Sequence, residues 1–226
     1  MNILQVLHSF KIISRKWLSH EVISLSLEKP GSYTFAVGQA VEVSMDHPRF
    51  HGDQAPFTIA SLPEDDHLEL IIKVYPDHKG ITLAISELKL GDKLLIGDPW
   101  DSYRNLGPGI FIAAGTGITS FLSAIRYLKK KDSLGDSQLF FVNKTEGDVF
   151  LNEELSKAFC ENFVKILTRE QKENYLFGQI DVKLLRTYVT NFNRPFYICG
   201  PDNFAEQLKN QLIEDKVNGA LIHIGY

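Results

Sequence analysis

The sequence predicts a two-domain chain, an antiparallel β-barrel followed by an α/β domain with a parallel sheet, and three observations carry that prediction. Short β-rich runs separated by turn-forming residues fill roughly the first 100 positions. Beyond them the pattern switches to alternating strand and helix. The first strand of that second half runs directly into a glycine turn, Gly115-Thr116-Gly117.

The barrel is read from six runs, at residues 3–7, 22–27, 40–44, 57–60, 68–74 and 93–96. The second alternates apolar and polar residues, Val22-Ile-Ser-Leu-Ser-Leu, the period of a half-buried strand. Pro30-Gly31, His51-Gly52-Asp53, residues 63–66 and Pro76-Asp77 punctuate the runs as turns. Many short strands at this spacing build an antiparallel barrel. One helix is expected over 81–88, stopped by Leu90-Gly91-Asp92.

Residues 99–109 read as a linker, rich in Gly, Pro and polar side chains, which sets domains at 1–104 and 105–226. Strands are then expected at 110–114, 138–142, 164–168, 195–199 and 220–224. Helices between them are expected at 119–130, 150–159, 181–190 and 202–215. In the first helix Phe121, Leu122, Ile125 and Leu128 fall on one face. Strand–helix alternation of this kind gives a parallel sheet covered on both sides.

Composition narrows the function classes. A formal charge of −4 argues against nucleic acid as the main partner, since phosphate backbones are bound by a surplus of Lys and Arg. Cys160 and Cys199 are the two cysteines, too few for a disulfide scaffold or a cysteine metal framework, which fits a reducing, cytoplasmic setting. Gln5, His8, Lys11, Arg15 and Lys16 interrupt the N-terminal apolar residues, so no signal-peptide core is read there. No run of 18 apolar residues exists to span a membrane as a helix. The seven His show no metal-ligand spacing.

The turn after 110–114 carries the first candidate chemistry. Glycines let backbone approach a diphosphate, and a helix start presents free N–H groups and positive potential to it. The same residues also read as a tight βα turn with Thr119 or Ser120 as the N-cap. A second loop, Tyr197-Ile-Cys199-Gly200-Pro201, ends a later strand and is expected to converge on it.

Five segments in this order resemble the ferredoxin–NADP reductase family, including flavodoxin reductases and NAD(P)H:flavin oxidoreductases. Phe35-Ala-Val-Gly38-Gln39 is similar to its Pro-Gly-Gln strand, and Ala55-Pro-Phe57-Thr58-Ile-Ala-Ser61 to its Arg-x-Tyr-Ser-x-x-Ser segment. Gly80-Ile-Thr82 resembles the Gly-x-x-Ser/Thr turn at the flavin phosphate. Ala113-Ala114-Gly115-Thr116-Gly117-Ile-Thr119-Ser120 resembles the Ala-Gly-Gly-Thr-Gly-x-x-Pro nucleotide turn, and Cys199-Gly200-Pro201 matches Cys-Gly-Pro.

The resemblance implies FAD, with FMN admissible, and NADP(H) or NAD(H). It implies Phe57 against the isoalloxazine and the Thr58 hydroxyl near its reactive nitrogen, with Ser61 closing the motif. Gly80, Ile81 and Thr82 would hold flavin phosphate; Gly115, Thr116 and Gly117 would hold the dinucleotide; Cys199, with Gly200 and Pro201, would sit beside the ring that gives up hydride. Thr168-Arg169 resembles the family's Ser-Arg pair for the 2′-phosphate, Tyr175 is placed to stack on adenine, and the balance leans to NADPH. Tyr226 resembles the terminal aromatic that covers the flavin in some members, and reads equally as a frayed end.

The implied activity passes hydride from NAD(P)H to flavin and then electrons to a separate carrier, ferredoxin or flavodoxin. Two cysteines cannot ligate a plant-type iron–sulfur cluster within this sequence. The departures leave two other readings open, a flavin reductase with loosely held flavin and a non-catalytic binding module. Ala55 stands where the family has an arginine for the flavin diphosphate, and Arg49, His51 and Lys73 are the cations in reach of replacing it.

Overall fold

A computed structural model describes residues 6–50, 53–103 and 106–225. The chain divides into two compact units, residues 1–105 and 106–226.

The first unit is an antiparallel sheet of seven strands: β1 (His8–Trp17), β2 (Val22–Glu28), β3 (Gln39–Ser44), β4 (Ala55–Thr58), β5 (His67–Lys73), β6 (Lys93–Ile96) and β7 (Trp100–Asp101). Their order is β4-β3-β6-β1-β2-β5, with β7 beside β3. An isolated bridge between Ile59 and Leu70 joins the two ends, so the sheet nearly closes into a barrel. Closure hides the strand edges that an open sheet would expose. Inside lie Phe10, Ile12, Ile23, Leu25, Leu27, Val41, Val43, Leu68, Leu70, Ile72, Leu94 and Ile96, all at most 1% exposed. Each such large side chain contributes about 1.5–3 kcal/mol by leaving water. Helix α1 (Ile81–Glu87) covers one end of this core through Ile81, Leu83 and Ala84, and the Arg15 guanidinium ties it to β1 by donating to the Ser86 carbonyl at 2.7 Å.

Two expectations for this half need correction. Among the described residues the first strand is β1 at His8–Trp17; of the expected run 3–7, Val6 and Leu7 lie in no strand and 3–5 fall outside the described residues. Only Phe10 and Ile12 of β1 are buried, and the register slips between Ile12 and Ser14, so period 2 is faint along it. The linker is also shorter than 99–109, because Trp100 and Asp101 pair with Ala40 and Gln39.

The second unit is a parallel sheet of β8 (Ile110–Ala114), β9 (Gln138–Asn143), β10 (Phe163–Leu167), β11 (Leu176–Phe177), β12 (Phe196–Cys199) and β13 (Ile222–Ile224). Its helices are α2 (Thr119–Lys130), α3 (Asn152–Phe159), α4 (Val182–Tyr188) and α5 (Asp202–Glu214). The order β11-β10-β9-β8-β12-β13 runs outwards in one direction from β8 and reverses at β12. Ile110, Phe111 and Ile112 are all fully buried, as expected of a strand covered on both faces. Strand β8 and helix α2 begin and end where the sequence predicts; β11, two residues long, carries no readable pattern.

Candidate functional site

The reversal between β8 and β12 is where an open parallel sheet leaves a crevice outside the strand C-termini. The loop after β8 forms a 3-10 turn, Gly115–Ile118, that continues into α2. Its N-cap residue, Ile118, supplies no side-chain hydrogen bond, and the Thr119 hydroxyl donates instead to the Thr116 carbonyl at 2.8 Å. The alternative in which Thr119 or Ser120 caps the helix is therefore not the one the chain adopts. No side chain caps α2, and its first N–H, that of Thr119, is taken up by the Thr116 and Gly117 carbonyls, so the turn and the helix run on as one.

The glycines divide the work. Gly115 has φ +55°, and a Cβ on it would meet nothing within 4 Å, so the turn is open on that side. A Cβ on Gly117 would lie 2.3 Å from the Cys199 carbonyl oxygen, and one on Gly200 would lie 2.8 Å from the Ala114 Cβ. The two loops thus converge, as expected, and they touch only because both residues lack side chains. Ser120 Oγ and Cys199 Sγ lie 3.2 Å apart, a contact the sequence reading passed over. Cys199 is 8% exposed, while Gly200 and Pro201 reach solvent. An open glycine turn at a helix start that no side chain caps fits a dinucleotide diphosphate.

Further along the same edge, the Thr168 N–H and hydroxyl both donate to the Asn143 carbonyl, at 2.9 and 3.3 Å. The Arg169 N–H donates to the Lys144 carbonyl, and its exposed guanidinium has no ion-pair partner among the described residues. The two nearby acids are engaged: Glu146 with Lys172 at 2.5 Å, and Glu170 by accepting the Glu146 N–H at 2.7 Å. Tyr175 is half-buried, with the Lys165 ammonium 4.7 Å from its ring centre. Burial, and then the charge of Glu146, pushes its hydroxyl pKa up, so it stays neutral. Asn143, at the end of β9, was also missed; its buried amide atoms have no partner among the described residues.

In the barrel, the segment 55–61 lies on and just after β4. Phe57 is half-buried, resting against the barrel core, and Thr58, 8% exposed, points the other way. The Thr58 hydroxyl makes no hydrogen bond among the described residues, so a nearly buried donor is left for a ligand, which fits a flavin ring atom. Ser61, by contrast, is 1% exposed and accepts the Glu69 N–H at 2.9 Å, which gives it a place in barrel closure. Gly80, at the N-cap of α1, has open space where a Cβ would stand, and no side chain caps the helix there. Ile81 and Thr82 follow on the first turn, partly exposed.

Ala55, paired with Val43, brings no polar group to this face. Of the three cations in reach, Lys73 pairs with Glu21 at 3.1 Å, and His51 lies outside the described residues, as does Tyr226. Arg49 donates from its guanidinium to the Lys79 carbonyl at 3.2 Å, one residue before Gly80. No described helix is long and apolar enough to cross a membrane.

Comparison with known proteins agrees with both halves. Residues 7–93 match the model of an FAD-binding domain, and residues 111–210 that of an oxidoreductase NAD-binding domain. NADH-cytochrome b5 reductase 2 of Yarrowia lipolytica is 29% identical over 96% of this chain and 81% of its own length. The reductase component of propane 2-monooxygenase from Mycolicibacterium goodii is 25% identical over 81% of this chain, which spans 57% of that protein's length. A ferredoxin NADP+ reductase from Neisseria gonorrhoeae, solved with bound FAD and NADP, shares the fold with a TM-score of 0.81 at 18% identity, over 96% of this chain and 97% of that one.

Proposed function

The chain belongs to the ferredoxin–NADP reductase-like family of FAD- and NAD-binding oxidoreductases, and from that premise we propose that it draws hydride from NADPH and hands electrons singly to a separate carrier protein, a ferredoxin or a flavodoxin. Bound FAD supplies the chemistry, accepting two electrons together and releasing them one at a time. The chain's residues bind, orient and screen. Gly115, Thr116 and Gly117 offer backbone N–H groups to the dinucleotide, and Gly200 and Pro201 bring Cys199 beside the nicotinamide. Thr58 directs its hydroxyl at the flavin ring, Phe57 flanks it, and Gly80, Ile81 and Thr82 hold its phosphate. The single observation that supports this reading best is the close approach of Gly117 to Cys199 at the strand-order reversal.

For NADPH, the argument is the Arg169 guanidinium beside Thr168, without an ion-pair partner among the described residues, with both neighbouring acids engaged elsewhere. A guanidinium matches a 2′-phosphate with paired N–H donors. The Yarrowia relative is named for NADH, so the choice turns on this corner. Several relatives are named as reductases or reductase components for other proteins, among them cytochrome b5, a monooxygenase and a ferredoxin, which supports a carrier protein as the electron acceptor.

Steady-state turnover tests the proposal. Without added flavin, the protein should reduce a one-electron carrier (ferredoxin, flavodoxin or cytochrome b5) faster with NADPH than with NADH. Arg169→Ala should raise KM for NADPH about tenfold and leave NADH unchanged. Turnover of free flavin alone would favour the flavin reductase instead, and an equal effect of Arg169→Ala on both nucleotides would remove the NADPH assignment.

A further inference from the structure

We propose that Arg49 is the cation that holds the flavin diphosphate in this chain, doing the work that Ala55 cannot. The inference rests on the FAD reading above and adds to it the residue that makes binding tight.

A diphosphate needs charge-assisted donors, and a guanidinium supplies them in a fixed fork. Ala55 offers none. Lys73 is paired with Glu21 and lies over the Tyr75 ring. Lys79 is exposed on a left-handed turn with φ +46°, and a lysine ammonium is a strongly hydrated point charge on a flexible stem. Arg49 is held in place from three sides. Its backbone belongs to a 3-10 turn, Pro48–Phe50, pinned by Phe50, which is 6% exposed within the barrel core. Its own N–H donates to His47 Nδ1 at 3.2 Å. Its guanidinium lies 5.2 Å from the Phe50 ring centre and reaches across 30 positions of sequence to the Lys79 carbonyl.

That one bond uses a single donor of the five a guanidinium carries. No carboxylate pairs with the remainder among the described residues. An arginine fixed beside Gly80, where the chain has open space in place of a side chain, is thus left with unspent charge and donors. An arginine at position 55 and Arg49 are two solutions to one electrostatic need, with the cation here moved from the strand to the turn preceding it.

The test is an equilibrium titration of the full chain, stripped of flavin, with FAD and with riboflavin, which carries no phosphate. Arg49→Gln keeps a donor for the Lys79 carbonyl but removes the charge. It should weaken FAD binding by about ten- to a hundredfold, leave riboflavin binding unchanged, and flatten the salt dependence of FAD binding. Adding Ala55→Arg to that variant should restore FAD affinity, and Lys79→Ala should have little effect. The proposal is overturned if Arg49→Gln binds FAD like the wild type, if FAD and riboflavin weaken in parallel, or if Lys79→Ala produces the loss instead. A wild type that binds neither flavin brings down the functional reading itself, an outcome distinct from all three.

Discussion

Replacing Gly117 with alanine is expected to slow reduction of bound flavin by NADPH by about a hundredfold, because misplacing a reacting group by an ångström costs that much. The new Cβ would stand 2.3 Å from the Cys199 carbonyl oxygen, 2.6 Å from its carbon and 2.9 Å from the Gly200 nitrogen. All three are backbone atoms, so no side chain can swing aside. Either the turn after β8 or the loop after β12 must move, and both line the crevice at the strand reversal. The clash should also lower stability by about 1–3 kcal/mol. Gly115→Ala is the informative comparison, since its Cβ meets nothing and only the positive φ is penalised, at about 1–2 kcal/mol. Stopped-flow reduction of the two variants should separate them, and a wild-type rate in Gly117→Ala would remove the loop contact from the account.

Phe111→Ala should damage the core of the α/β unit, lowering stability by about 3–5 kcal/mol. Phe111 is fully buried in β8, the strand that carries the glycine turn. Its ring lies 5.0 Å from that of Tyr197, 5.6 Å from Phe121 and 6.0 Å from Phe159, so it joins β8 to β12, α2 and α3. Truncation leaves a cavity bounded by three rigid rings that cannot collapse into it. Urea denaturation followed by far-UV circular dichroism measures the loss, and a value below about 1 kcal/mol would mean the site relaxes freely.

These sites differ in how far the sequence reveals them. Residues 110–130 were legible almost to the residue, because a doubly covered strand is a continuous apolar run and an amphipathic helix repeats on 3.6. Strand β1 was not, because its outward positions mix Lys11, Ile13, Arg15, Lys16 and Trp17 and hide the alternation. The two-residue strands β7 and β11 are too short to carry a period. In the site, the glycine turn and Cys199-Gly200-Pro201 stood out as motifs, but the Ser120–Cys199 contact joins positions 79 apart and leaves no local mark. Arg49 could be named as one of three cations, yet choosing it required knowing that Lys73 is paired and that the guanidinium meets the turn at Lys79.

The central claim is that this chain holds FAD and reduces it with a pyridine nucleotide. An anaerobic visible spectrum of the purified, FAD-loaded protein tests it most directly. The account predicts a yellow protein whose flavin absorbance bleaches when NADPH is added and returns when oxygen is admitted. A protein that takes up no FAD, or a yellow one whose spectrum neither NADPH nor NADH changes, would contradict it.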